Sequence, residues 1–298
     1  APPERARRAA SQGRAEWVIL AAGLTVAVAV PAGVILTVLP GPGYPAQVFD
    51  ATFHLNAVAA IREGGNASML GGLSALDSGR AVYYPTVWHG LVALAPGRPA
   101  PVSTAGVLAL TAVVWPLSLL GLLVRTTGLD AARASETDRA RRRQRTCAVA
   151  AVLALSAAVV GFPLLPMTAL AVWPYALSVV GLPGVLVLYD LLRQGTASRR
   201  LRLVLVLLAL AAAGGVVAAH GTGLFNLAVL SPPFLVNLLV SRWRRSATRR
   251  GGRALLVAGA VASVLVLAMG AWVMRASLAS VLGYQRPAGG VGGIVATL

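Results

Sequence analysis

The chain alternates long apolar runs with short basic clusters. Apolar stretches at 17–39, 103–124, 147–165, 168–192, 203–219, 223–241 and 254–274 each approach the roughly 20 residues a helix needs to cross a bilayer. This pattern predicts an all-α, polytopic transmembrane protein of seven spans. It has a cytoplasmic N-terminal segment (1–16), a seven-span module (17–274) holding a first outer loop at 40–102, and, at 275–298, the start of a second outer loop that is expected to be incomplete. The third and fourth spans meet at a tight turn at Pro166, and Pro232-Pro233 predicts a break in the sixth. Pro31 and Gly33 predict a kink in the first. Inside the outer loop, Phe49, Phe53, Ala57 and Ile61 recur at helical spacing. They predict a short amphipathic helix over 46–63, lying in the membrane interface and stopped by Gly64-Gly65. Tyr83 to Leu94 reads as a second short helical segment, too short to span.

Charge supplies an orientation. The chain has 298 residues, of which 57% are hydrophobic and 12% charged, about half the charged share of an ordinary soluble domain. All 26 basic residues are Arg, which with the high Ala, Val and Gly content is the composition of a GC-rich, actinobacterial-type genome. The arginines cluster between apolar runs, and all but Arg62, Arg80, Arg98, Arg275 and Arg286 fall on one side of the predicted membrane. The positive-inside rule then places the N-terminus in the cytoplasm and the chain in the cytoplasmic membrane. It accounts for the net charge of +17 without nucleic acid. A single cysteine, Cys147, excludes a disulfide framework and a cysteine metal site. No phosphate-binding loop, HExxH or GxSxG pattern is present.

The candidate chemistry gathers on the outer face. Six of the nine carboxylates lie toward the cytoplasm, whereas all three histidines (His54, His89 and His220) lie outside, each near a membrane boundary. Asp50 and His54 are four residues apart, one helical turn on one face. A carboxylate at headgroup level among apolar residues needs a partner or a task; the alternative is an acid favoured by the dipole at a helix N-terminus. Glu63 reads as a solvated helix-end residue beside Arg62, and Asp77 as a turn acid near Gly79. Tyr83, Tyr84 and Trp88 form either an aromatic belt or one wall of a site. His89 suits a phosphate, a metal or a backbone carbonyl. Asp50, His54 and His89 together could hold a divalent ion, although no spacing is diagnostic of one. His220, followed by Gly221-Thr222-Gly223, allows a ligand close to the backbone. Arg275 suits bidentate phosphate binding or anchors the end of a span. Asp190 is expected to pair with Arg193. Few polar residues within the spans argue against an ion-coupled transporter.

The run Asp50-x-x-Phe53-His54-Leu55-Asn56, with Ile61 and Gly64, followed by Tyr83-Tyr84-Pro85 and Trp88-His89, resembles the first outer loop of GT-C-type integral membrane glycosyltransferases. Those enzymes carry an acid just past the first span and a short aromatic-Pro segment before the second, within a shared module of seven spans. The resemblance implies transfer of a sugar from a polyprenyl-phosphate donor to a glycan or lipid acceptor on the outer face. Asp50 matches the catalytic acid, acting as general base or helping to hold a metal. His54, Tyr83, Tyr84, Trp88, His89, His220 and Arg275 are then the candidates for binding substrate and the departing phosphate. Many relatives carry two adjacent acids where this chain has Asp50-Ala51. The alternatives are a non-catalytic lipid-binding or scaffold subunit of a cell-envelope assembly complex, and a transporter. All three readings place the protein among membrane lipids.

Overall fold

A computed structural model describes residues 4–44, 46–81, 83–129, 136–194 and 198–234, together with a few single positions between 236 and 272. The chain divides into a unit covering residues 1–238 and a second covering 239–298. The described part of the first is helical, with no β-strand among the described residues and one isolated antiparallel bridge, Leu70–Tyr83. Of the second, only isolated helical positions such as Trp243 and Trp272 are described.

Among the described residues, four helices are long and apolar enough to cross a membrane: Arg14–Val38, Pro99–Thr127 (which begins as α4, Pro99–Leu108), Trp173–Arg193 and Arg199–Ala219. A fifth span results if Ala140–Ala158 and Gly161–Met167, bent by 51°, count as one. These correspond to the first five predicted spans. The predicted sixth begins as a helix of nine residues, Thr222–Leu230 (α10), which ends before Ser231-Pro232-Pro233. The predicted seventh, 254–274, lies almost wholly outside the described residues.

The first helix, α1 (Glu4–Val38), buries Gly23, Ala27, Pro31 and Ile35, every fourth residue, while Val26, Val30 and Val34 face outward. A narrow stripe of small residues lets two helix backbones come close, which in lipid drives association better than bulk apolarity does. Its partner is α6 (Glu136–Ala158): Ala27 packs with Val149 and Leu153, and the Glu16 carboxylate accepts from Arg142 Nε at 2.9 Å. Moving along α1 from Glu16 to Gly23 moves along α6 from Arg142 to Ala150, so the two helices run parallel. The same holds for α5 (Trp115–Thr127) and α8 (Trp173–Gln194), whose C-terminal ends are joined by Arg125 to Asp190 at 3.1 Å. Arg193 also binds Asp190, at 2.8 Å, as its spacing predicts. Parallel pairing of these helices is what an alternating path through a membrane requires. It leaves the arginine pairs at one end of the bundle and the connections 39–98, 159–172 and 219–222 at the other.

A Cβ on Gly23 would stand 2.5 Å from the Ala150 carbonyl oxygen and 2.7 Å from its Cα. Both are backbone atoms, so α1 and α6 must part. Gly23→Leu is expected to cost about 2–3 kcal/mol, read as a lower thermal midpoint in detergent. Gly33→Leu, whose Cβ meets nothing, is expected to leave the midpoint within a degree or two.

The loop between the first two spans carries two short α-helices. The first, α2 (Phe49–Gly64), ends on Gly65 in the left-handed conformation (φ 61°), as the Gly-Gly pair predicts. The second, α3, spans Val87–Leu94. The strap between them is pinned locally: Asn66 Oδ1 accepts from the Ser68 N–H, the Tyr84 N–H donates to the Met69 carbonyl, and the Thr86 hydroxyl donates to the Ala67 carbonyl at 2.6 Å. The buried face of α2 is Ala51, His54, Ala57, Val58 and Ile61. The predicted stripe was Phe49, Phe53, Ala57 and Ile61. Phe49 is instead 83% exposed, because the face turns toward His54 to meet α3.

Candidate functional site

His54 lies at the centre of the buried face of α2, and His89 is buried in α3. The side-by-side packing of these two short helices, which run in the same direction, brings His54 Nδ1 to 2.9 Å from His89 Nε2, with the two residues 3% and 0% exposed. Arg62, two turns beyond His54, holds α3 in place. Its guanidinium donates to the carbonyls of Val92, Ala93, Ala95 and Gly97, the C-terminal end of α3. Carbonyls at the end of a helix are short of intrahelical partners, although that of Val92 also accepts from the Ala95 N–H, and a cation there meets the negative end of the helix dipole.

A third element closes over the pair. The fourth predicted span, 168–192, becomes helical only at Trp173, with Pro174 in its first turn, where proline belongs. Residues 168–172 form a tight turn in which Ala171 is fully buried at φ 50°. A non-glycine residue in that region is strained by about 1–3 kcal/mol. The Ala171 backbone favours a proton on the His54 ring, against the larger effect of burial. Trp173 stacks on His54 at 5.4 Å between centroids, and its indole N–H donates to the Met167 carbonyl.

Around the buried pair runs a half-buried aromatic rim. Phe53 and Tyr84 stand 5.0 Å apart, and Tyr84 is 5.7 Å from His89. His220, just past the end of α9 (Arg199–Ala219), is near enough to act on His54 through its charge and stands edge-on to Tyr175 at 5.7 Å. The Thr222 backbone N–H donates to His220 Nδ1 at 3.3 Å, so in the neutral ring the proton sits on Nε2. Asp50 is in the first turn of α2 and exposed. Its charge nonetheless reaches Tyr84, whose phenol is pushed up to about 12, first by burial and then by Asp50. Burial pulls His54 down to about 3, with His89 and His220 adding to the effect, and pulls His89 down to about 4. Burial lowers His220 as well. The two central imidazoles are therefore neutral at pH 7.

The predicted site residues thus separate. Asp50, His54, Tyr84, His89 and His220 form one cluster. Asp50 and His54 do not share a buried face: the acid lies at the surface and the imidazole inside. The Tyr83 backbone forms the isolated bridge with Leu70. Trp88 packs on Trp173 at 5.6 Å and into the space left by Gly106, as part of the core. Arg275 lies outside the described residues. No three His, Cys, Asp or Glu side chains among the described residues are placed to share a metal ion. A hollow of ≈ 20 Å³, room for about one water, is bounded by Leu39, Ala46, Thr104, Val107 and Met167. It shares Trp173 with the cluster, but Asp50, His54 and His89 do not line it. Sequence reasoning missed Ala171, Trp173, Tyr175 and the clamp at Arg62. Trp173-Pro174-Tyr175 repeats the aromatic-Pro signature of Tyr84-Pro85, and that repetition was available as a signal.

One sequence family matches the whole chain, residues 1–298. The chain belongs to DUF6541, a family of unknown function. No curated protein matches it, and neither does a solved structure. In this DUF6541 chain the buried histidine pair with its exposed acid is therefore the feature from which function has to be argued.

Proposed function

We propose that this protein is a membrane glycosyltransferase. It moves a sugar from a polyprenyl-phosphate donor to a cell-envelope glycan or lipid on the outer face, with Asp50 as general base. The observation that carries the reading is the position of Asp50: a solvent-reaching carboxylate at the end of the bundle opposite the arginine pairs, above a buried imidazole pair. In this scheme Asp50 takes the proton of the acceptor hydroxyl as its oxygen bonds to the anomeric carbon. The bond from that carbon to the phosphate oxygen breaks, and the electron pair leaves with the polyprenyl phosphate. The first five spans, extended by a broken sixth over 223–241 and a seventh over 254–274, would complete a GT-C-like module in the cytoplasmic membrane with its N-terminus inside.

A second reading, a lipid-binding or scaffold subunit without turnover, is favoured by the hollow beside Trp173 having room for only about one water. Membranes containing wild type or Asp50→Asn, supplied with polyprenyl-phosphate sugars, separate the two. The transferase reading expects Asp50→Asn to lower transfer at least about a hundredfold at unchanged protein level. Equal transfer by both would remove Asp50 from catalysis. Absence of transfer by wild type from every donor, with a stable partner on purification, would favour the scaffold.

A further inference from the structure

The two short helices between the first two spans present opposite chemistry to their surroundings. On α2 the exposed positions are Phe49 at its start, then Asp50, Thr52, Asn56, Glu63 and Gly64. On α3 they are Leu91 and Leu94, 55% and 86% exposed. These two lie three residues apart, on one face of the helix. The one ionisable side chain of α3, His89, is buried with Trp88 and Val92. Sequence periodicity assigned the membrane interface to α2. The outward face of α2 is polar past its first residue, and the apolar outward face belongs to α3.

The level of α3 along the bundle is fixed by its neighbours. The Trp88 indole rests on Gly106, where a Cβ would stand 2.8 Å from Cη2, and Val92 shares a core cluster with Val102 and Val107. Gly106 lies about two turns inside the helix Pro99–Thr127. Counting back from Arg125, at the end where the arginine pairs lie, the roughly 20 residues that cross hydrocarbon reach about residue 105. Trp88 also packs at 5.6 Å on Trp173, the first residue of α8. α3 therefore lies at the far edge of the hydrocarbon, beside two helices of membrane-spanning length. The helix Pro99–Thr127 exposes Val113, Val114 and Leu117 farther along, as a surface facing lipid does, and Leu91 and Leu94 carry the same chemistry at its rim. Arg98, exposed between α3 and that helix, stands where an arginine anchors a span end to headgroups.

We infer that α3 is embedded in the bilayer at the end of the bundle opposite the arginine pairs, with Leu91 and Leu94 among the acyl chains and the polar face of α2 in water. An interfacial helix buries its apolar face about 5–10 Å into the boundary between headgroups and acyl chains, the level at which its neighbours place α3. His54 meets His89, and Arg62 holds the end of α3. The lipid contact therefore sets the height of the histidine pair at the membrane boundary, whether or not the chain transfers sugar.

The test places a fluorophore on one cysteine at a time in the full chain in nanodiscs, with the exposed Cys147 removed by Cys147→Ser. The labelled variants are Leu91→Cys, Leu94→Cys and, on the outward face of α2, Asn56→Cys. All three replace exposed side chains, so the fold is expected to tolerate them, and two leucine positions keep the face readable if one variant fails. Each protein is quenched in turn by iodide in the water and by phospholipid carrying a nitroxide on its acyl chain. At Leu91→Cys and Leu94→Cys the expected result is loss of fluorescence to the nitroxide lipid with protection from iodide. At Asn56→Cys the reverse is expected. Stronger quenching by iodide at either leucine position would overturn the inference. Protection there from both quenchers would show another protein surface over the face, of this chain or of a second copy, and would overturn it as well. Nitroxide quenching at Asn56→Cys equal to that at the leucines would remove the division between the two helices.

Discussion

Thermal stability of the detergent-solubilised protein is expected to fall steeply as pH drops below about 6.5, and His54 and His89 are expected to account for most of the fall. Both imidazoles are held below their ordinary range by burial, to about 3 and about 4. In the unfolded chain they would titrate near the ordinary imidazole value of 6.5. The sign follows from proton binding. Below that value the unfolded chain binds protons that the folded site refuses, so stability declines with falling pH until the folded values are reached. Above it neither state is protonated, and the contribution is constant. At pH 5 each imidazole would have cost about 2 kcal/mol, or about 4 kcal/mol for the pair, at 1.36 kcal/mol per unit. The measurement is the thermal midpoint between about pH 8 and pH 5 for wild type and for the double variant His54→Leu/His89→Leu. Leucine removes both the titration and the need to bury polar rings, so the variant's midpoint should be nearly flat where the wild type's declines. Parallel curves for the two proteins would show that the imidazoles are not buried as neutral partners.

The histidine pair also shows where the sequence was readable and where it was not. The loop helix over Phe49–Gly64, its Gly65 stop and the placement of all three histidines at one end of the bundle follow from periodicity and charge. These are local properties, or sums over the chain. The register of the buried face was not readable. Phe49 and Phe53 looked like its core because they are large and apolar, yet the face turned toward His54, which becomes suitable for burial only once His89 and the Ala171 backbone stand opposite. A polar residue goes inside when its partner is there, and the partners come from α3 and from a turn more than a hundred residues away. That turn was hidden for a related reason. Thr168 to Val172 is apolar enough to belong to the fourth span, but the helix starts only at Trp173, and the five residues before it close over the site.

The fourth and fifth apolar helices and the pairing of Asp190 with Arg193 were legible from apolar runs and arginine placement, whereas the contact of Arg125 with Asp190, across from the second span, was not. The sixth was legible as broken. Pro232-Pro233 cannot supply backbone donors, and α10 stops at Leu230. Asp50 shows the limit most clearly. Its spacing to His54 promised a shared face, but a helix's first turn is where an acid is stabilised by the dipole while remaining in water. The general base proposed above thus stays in contact with solvent, while His54 turns inward to its partner on α3.

Arg62→Ala is expected to unlock that arrangement without touching either imidazole. The guanidinium ties α2 to the C-terminal end of α3 and the residues just past it through hydrogen bonds of 3.2, 2.6, 3.1 and 2.7 Å, beside the apolar contact of Val58 and Ile61 with Val92 and Ala93. Hydrogen bonds from a charged donor contribute about 1.5–3 kcal/mol each when the acceptor is buried. Several of these carbonyls would rehydrate on its removal, so the net loss should be about 3 kcal/mol. At roughly 2–4 °C per kcal/mol for a chain of this size, that is a fall of about 6–12 °C in the thermal midpoint. Lysine offers a point charge and one flexible ammonium in place of a planar fork, so Arg62→Lys should recover less than half of the loss. The clamp acts on His89 by fixing α3 against α2, so Arg62→Ala and His54→Leu should not add. The double variant is expected to lie at least about 0.5 kcal/mol from the sum of the singles. Strict additivity would mean that α3 keeps its register without the clamp. Full rescue by lysine would mean that charge at the helix end, and not the fork, holds the histidines together.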